Sequence, residues 1–320
     1  MLLAYRPMYG KLAPMSAAED LTHAVWIDLL RPEAAEAERV KGLVPEIPTL
    51  ADMEEIEISS RLYREAGFEY MTVMVPGLAD GDQRITGPVT FILGPQSLIT
   101  VRHHTPRPFE TYATRADKVG LGCDRPERVF LGLVEEIIGR IADLLEASGR
   151  ALDAVTRKVF TPIVGGPSSA LLQSALETAG QQGDLVSNCR LSLLTIERAL
   201  GFFLLTLEER GVAEALRPSV NGHLRDIGSL EVHGDYLSSR VAQATDATLG
   251  MINLAQNNTV RIVSVVAVLF LPPTLIASVY GMNFVNMPEL HQAWGYPVAV
   301  GLMIGSSALA YFVCRLKKWL

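Results

Sequence analysis

Two apolar runs near the C-terminal end constrain this 320-residue chain more than any other feature. Ile262 to Tyr280 and Tyr296 to Cys314 each hold about 19 residues, and neither contains a charge. About 20 apolar residues of helix cross a bilayer's hydrocarbon core. One charge at its centre costs about 2.5–3.5 kcal/mol on an insertion scale. The two runs therefore predict a two-span transmembrane hairpin, with Gly281-Met282-Asn283 where the first span ends.

Charge predicts the orientation. Arg315, Lys317 and Lys318 follow the second run, whereas Phe284 to Gly295 holds no Lys or Arg. The positive-inside rule then places both termini in the cytosol and the loop outside. The N-terminal stretch has no apolar core of signal-peptide length, which agrees with a cytosolic N-terminal domain. Trp294, Tyr296 and Trp319 suit interface anchors. The net charge is -7 with no basic block, which argues against a nucleic-acid partner. Cys123, Cys189 and Cys314 are scattered, so neither a disulfide framework nor a thiolate metal site is indicated. No phosphate-binding loop or Ser-His-Asp pattern is visible, which argues against ATP-driven pumping and against catalysis. Transport by such a chain would run downhill, driven by the membrane potential.

Residues 1–110 read as mixed α/β. Strands are expected over Ala24–Leu29, Met53–Ser59, Phe68–Val75, Val89–Leu93 and Ser97–Arg102, the last three as a meander. A helix is expected from Glu33 to Gly42, with acids in its first turn. From Pro126 the apolar period becomes helical and continues to about Val159. A second helix covers Ser168 to Leu207, with a possible break at Gly180–Gly183. Pro218 marks a stop, and one long helix is expected from Ser219 to Tyr280. At 1.5 Å per residue that is roughly 90 Å, a length that suits a stalk shared between subunits. His103-His104 precedes Thr105-Pro106 and reads as a turn rather than a metal site.

At 100° per residue, a set of positions on the long helix falls together within about a third of its circumference. They are Asp246, Gly250, Asn253, Asn257, Val260, Ser264, Ala267, Leu271, Thr274 and Ser278. The stripe is small or polar, with Val260 and Leu271 as aliphatic exceptions. Such a face either packs closely on another helix or lines water. One helix cannot enclose a channel, so a pore would need a symmetric ring.

Tyr280-Gly281-Met282-Asn283-Phe284 followed by Met287-Pro288-Glu289-Leu290 resembles the CorA family of divalent-cation channels. Phe270-Leu271-Pro272-Pro273-Thr274 and Asp246-Ala247-Thr248-Leu249 also resemble it. The resemblance implies a homopentameric funnel: an α+β cytosolic domain, a long stalk helix and the hairpin. The expected divisions are 1–218 for the cytosolic α/β/α domain and 219–261 for the cytosolic stalk. The first span is 262–283, the external loop 284–295, the second span 296–314 and the tail 315–320. It further implies Mg²⁺ as substrate, in the inner membrane of a bacterium, with no cofactor. Asn283 and Gly281 match the selectivity filter, supported by Met282. Thr274 and Asn257 match further polar rings, Ser264 and Ser278 share the pore-lining face, and Val260 and Leu271 match a constriction by character. Glu289 would draw cations to the outer mouth. Asp246 and Asp226 are the acids expected to bind regulatory Mg²⁺ between subunits, since a divalent ion relieves the repulsion of clustered carboxylates. Pro272-Pro273 could be a gating hinge or a fixed bend.

Two alternatives remain. One keeps the fold and carries Zn²⁺, as the ZntB type does, although the Met-Pro-Glu-Leu sequence favours Mg²⁺. Co²⁺ and Ni²⁺ are expected passengers in the Mg²⁺ reading. The other is a membrane-anchored cytosolic scaffold or enzyme.

Overall fold

The computed structural model describes residues 1–55, 61–79, 81, 83–118, 120–161, 167–211, 213–282, 292–317 and 319. The chain divides into two compact units, Met1–Arg157 with Leu176–Thr245, and Lys158–Ala175 with Asp246–Leu320.

In the first unit the described residues form one mixed sheet of seven strands. They are β1 (Leu2–Met8), β2 (Lys11–Pro14), β3 (Trp26–Leu30), β4 (Leu62–Glu65), β5 (Phe68–Leu78), β6 (Arg84–Leu93) and β7 (Leu98–Arg102). Their order is β2-β1-β3-β7-β6-β5-β4. Only β3 and β7 run parallel, with Trp26 opposite Leu98 and Leu30 opposite Arg102. The β5-β6-β7 meander appears as the alternation suggested. The β1–β2 hairpin was not foreseen. Its turn is Tyr9-Gly10, both at positive φ, which lacks the Asn-Gly signature of such turns.

Strand alternation sorts the core into two layers. Ile27, Leu29, Ile99, Val101, Ile92 and Tyr70 pack with Val40 of α1 (Ala34–Val40) and Met53 of α2 (Leu50–Glu54). Trp26 and Phe91 face the other way, toward α3 (Arg107–Arg115), α4 (Pro126–Phe160) and α5 (Ser169–Glu209). There Trp26 stands 5.8 Å from Tyr112, Phe91 5.2 Å from Phe130, and Phe130 4.7 Å from Phe203, centroid to centroid. These aromatics hold the sheet to its helical layer.

Two polar assemblies sit within this apolar unit. Asp28 accepts from Thr100 Oγ1 at 2.8 Å and from Arg102 at 2.8 and 3.1 Å, and Arg102 also donates to the His104 carbonyl. Both charges are 4 % exposed or less. A buried pair of this kind is sustained only when its remaining donors and acceptors are satisfied. Arg210, just past α5, donates to Glu69 at 2.6 Å, to Glu127 at 2.9 Å, and to the Gly94 and Leu93 carbonyls. It ties the end of α5 to β5, β6 and the start of α4.

Three sequence expectations need correction. Met53 and Glu54 lie in α2, not in a strand; residues 56–60 of that expected strand lie outside the described residues. Thr49 and Asp52 cap α2 reciprocally, and this local cap outweighs the short apolar alternation. The next strand is β4. Helix α5 is unbroken at Gly180–Gly183. A Cβ on Gly183 would stand 3.3 Å from Val241, so its small size lets another helix approach. Finally, α6 (Ala213–Tyr280) starts before Ser219 and continues through Pro218. That proline removes one bond, to the carbonyl of Glu214 in the first turn. Both residues are exposed, so water can serve that carbonyl.

The second unit contains the C-terminal part of α6 and all of α7 (Gly295–Leu316). Both helices carry windows long and apolar enough to cross a membrane. Almost none of the window in α6 is buried within the chain. Val263, Phe270 and Leu275 on α6 and Ile304 and Leu309 on α7 are large, apolar and exposed. Water would oppose an apolar surface of this extent, and a bilayer would accept it.

Candidate functional site

The C-terminal part of α6 has two unlike sides. Val265, Leu269, Pro272, Pro273, Ile276 and Tyr280 are buried or half-buried and recur at helical spacing. The opposite side carries Asp246, Gly250, Asn253, Asn257, Val260, Ser264, Ala267, Leu271, Thr274 and Ser278. Every one of these is exposed. The small and polar stripe therefore takes no part in packing within the chain.

The buried side also answers for the double proline. Pro272 and Pro273 have no N–H, so the carbonyls of Val268 and Leu269 lose their helical partners. Ser307 of α7 donates its hydroxyl to the Leu269 carbonyl at 3.4 Å. Hydroxyls of neighbouring helices are one of the ways a membrane helix tolerates proline. The next residue, Thr274, turns its own hydroxyl back to the carbonyls of Phe270, at 2.5 Å, and Leu271, at 3.0 Å. Its single hydrogen is thus committed to the helix, and toward the stripe it can only accept. The waters around a hydrated cation donate, so an acceptor is what they require.

At the end of α6 the Gly281 N–H bonds the Ala277 carbonyl at 2.9 Å, and the Met282 N–H closes a tighter turn on Val279 at 3.3 Å. A Cβ on Gly281 would meet the Ala277 carbonyl oxygen at 3.0 Å, so the backbone there suits glycine. Met282 is exposed. Asn283 and Glu289 lie outside the described residues.

A model of the CorA-like Mg²⁺ transporter protein family matches residues 22–316. The chain belongs to the CorA family. Magnesium transport protein CorA of Haemophilus influenzae strain Rd is 34% identical over 302 residues, covering 94% of each chain. That of Yersinia pseudotuberculosis is 33% identical over 324 residues, covering both chains completely. Among solved structures, the complete CorA magnesium transporter of Methanocaldococcus jannaschii superposes with a TM-score of 0.73 at 17% identity, over 100% of this chain and 99% of that one. The full-length CmaX protein gives 0.67 at 14% identity, over 99% and 97%. These two show a shared fold. Membership of a transporter family also removes the anchored enzyme or scaffold as a reading.

The other residues singled out from sequence are less concentrated in this CorA chain. Asp226 and Asp246 are both exposed on α6. Among the described residues, no three His, Cys, Asp or Glu side chains are grouped to hold a metal. His104 is 2 % exposed, and its Nε2 lies 2.8 Å from the Val75 carbonyl. Burial first, with Arg102 and His103 adding to it, holds it below the ordinary histidine range. The pair His103-His104 is thus part of the bend after β7, as its sequence context suggested. Sequence reasoning missed Ser307. Its signal was available in principle: a hydroxyl in the second span of a hairpin whose first span carries a double proline.

Proposed function

We propose that this chain is the subunit of a homopentameric Mg²⁺ channel, with the stripes of five α6 helices facing a common axis. The observation that carries this is the exposure of the whole stripe, on the side of α6 away from buried Val265 and the half-buried Leu269, Pro272, Pro273, Ile276 and Tyr280. Close packing of α6 inside the subunit does not use that face, which leaves it for other copies and for water. The names of the relatives as magnesium transport proteins support Mg²⁺ as the cargo. Mg²⁺ dehydrates reluctantly, and rings of neutral acceptors can hold it through its waters without trapping it.

In this reading 1–218 form the cytosolic domain and 219–261 the cytosolic stalk. Residues 262–283 and 296–314 are the spans, 284–295 the external loop, and 315–320 a cytosolic tail. The protein lies in the inner membrane with both termini inside. Asn283 and Gly281 form the selectivity filter, with Met282 beside them. Asn257, Ser264, Thr274 and Ser278 line the pore, Val260 and Leu271 narrow it, and Glu289 gathers cations outside. Influx follows the membrane potential, and Co²⁺ and Ni²⁺ pass as well. Cytosolic Mg²⁺ bound between subunits near Asp246 and Asp226 favours closure.

The test is Mg²⁺ flux into liposomes, with native mass measured on the same preparation. Asn283→Ala should keep the pentamer and lose at least tenfold of the flux. An assembled variant that conducts at the wild-type rate removes the filter assignment, and a conducting monomer or dimer removes the pore.

A further inference from the structure

The first unit contains a cleft of about 510 Å³ between the far end of the β5–β6 hairpin and helices α3, α4 and α5. It is unrelated to the pore stripe. Arg84 of β6, Arg107 of α3 and Arg140 of α4 line it together. None of the three forms an ion pair among the described residues. Elsewhere in the same unit Arg64, Arg102, Arg190, Arg210, Arg217 and Arg240 pair with carboxylates, while Arg125, Arg198 and Arg225 form no ion pair among the described residues but do not line the cleft. Three elements separated in sequence thus deliver uncommitted guanidinium groups to one concavity.

The rest of the lining narrows the ligand class. Pro76, Leu78, Ile85, Leu144 and Leu185 give it an apolar part, and Gln181, Gln182 and Asn188 add donors and acceptors. The volume lies in the range of about 300–1,000 Å³ that small-molecule sites occupy. Guanidinium forks match phosphate oxygens in pairs, and apolar walls suit a planar ring whose edge the amides can read. Glu110 and Asp184 share the cleft, and would repel a bare polyanion. They suit one that brings its own divalent cation, because carboxylates accept from the waters such a cation retains.

The hairpin end itself is held in place. A Cβ on Gly77 would stand 2.6 Å from the His104 ring, and one on Gly87 2.9 Å from it. His104 therefore occupies the space that two glycines leave, directly beneath strand residues bordering the cleft. Thr105 on the same wall exchanges backbone bonds with Leu78 at 3.0 and 3.2 Å. The wall is preorganised, which limits the ordering cost of binding.

We propose that this cleft binds the Mg²⁺ complex of a nucleoside phosphate. Binding there is regulatory: the chain has no phosphate loop, and the cleft offers no group arranged to attack a phosphoryl bond. The cleft would let a transporter sense the form in which its cargo is held by organic phosphate.

The experiment uses the full-length protein in detergent, with Mg²⁺ fixed in excess in every arm so that other Mg²⁺ effects cancel. Calorimetric titrations compare ATP, ADP and inorganic phosphate. Saturable binding of a nucleotide at least tenfold tighter than inorganic phosphate is expected. Arg107→Gln and Arg140→Gln should each weaken it by tenfold or more, since hydrogen bonds to charged groups contribute about 1.5–3 kcal/mol. Thermal midpoints without nucleotide serve as the folding control. Absence of saturable binding overturns the proposal, as does wild-type affinity in both folded variants. A change of native mass in the variants with nucleotide affinity unaltered would make the arginines subunit contacts and also overturn it. Flux enters none of these readouts, so failure here is separate from failure of the pore.

Discussion

The bond from Ser307 to the Leu269 carbonyl allows a quantitative test of what the double proline does. Pro273 orphans that carbonyl, and Ser307 reaches it at 3.4 Å, the long end of hydrogen-bond geometry. The value to use is therefore the average of about 0.6 kcal/mol measured for side-chain bonds between membrane helices, not their maximum of about 1.7. If the bond is made in only one of two pore states, Ser307→Ala shifts the balance about threefold per subunit. In the proposed pentamer, five copies moving together would make that about 3 kcal/mol, or roughly a hundredfold. The assay is the internal Mg²⁺ concentration that halves flux into liposomes, for Ser307→Ala and for Ser307→Thr, which keeps the hydroxyl. Pro273→Ala supplies the decisive background, because this substitution returns an N–H to the Leu269 carbonyl. There, Ser307→Ala should change the half-inhibiting concentration by less than about twofold. Equal effects of Ser307→Ala in both backgrounds would refute the reasoning. No effect in the native background would show that the bond does not differ between the two states, and would refute its part in the balance.

Three other outcomes are expected. Asp226→Ala with Asp246→Ala should raise the internal Mg²⁺ needed for closure by several-fold; inactivation at the wild-type concentration would remove these acids from the sensor. Asp28→Ala strands Arg102 in the core and should cost about 3–5 kcal/mol, read as a denaturation midpoint well below that of wild type, and a loss under 1 kcal/mol would contradict the buried-pair account. Burial depresses the pKa of His103, His104 and His223, so these side chains take up protons less readily in the fold than in the unfolded chain. Stability from this source is present above about pH 6.5 and is lost as pH falls below it, so the thermal midpoint should drop between pH 7.5 and 5.5 and drop less in His104→Gln.

The parts of the fold legible in the sequence were those written in unbroken periodic patterns. The charge-free runs fell on α6 and α7, and the alternation of β5, β6 and β7 gave a meander, because burial on a regular element repeats at that element's own period. Local chemistry misled where two signals competed. Met53 to Ser59 alternates, yet the Thr49–Asp52 cap starts a helix, and Pro218 looks like a stop but costs an exposed first turn only one bond. The stripe was legible as a pattern; its positions are exposed, as are Ile262, Val263, Val266 and Phe270 beside it. Ser307 and the arginine cleft were not legible. Each depends on residues distant in the chain meeting in space, 38 positions apart for Ser307 and Leu269, and no period in the chain announces such a meeting.

The clamp at Arg210 has a consequence for synthesis. Its partners lie 83 to 141 residues earlier in the chain. A ribosome adding about 5–20 residues per second completes β6 some 6–23 s before it reaches residue 210. During that interval the counter-charge available to Glu69 is Arg64, its cross-strand partner on β4 at 4.0 Å, and burial is the first cause that lifts the carboxyl above its usual range. Arg210 joins Glu69, Glu127 and the carbonyls of Leu93 and Gly94 only once the end of α5 has been made. Translation reaches the first apolar run, at Ile262, only after this clamp and the rest of the first unit, which ends at Thr245, have been made.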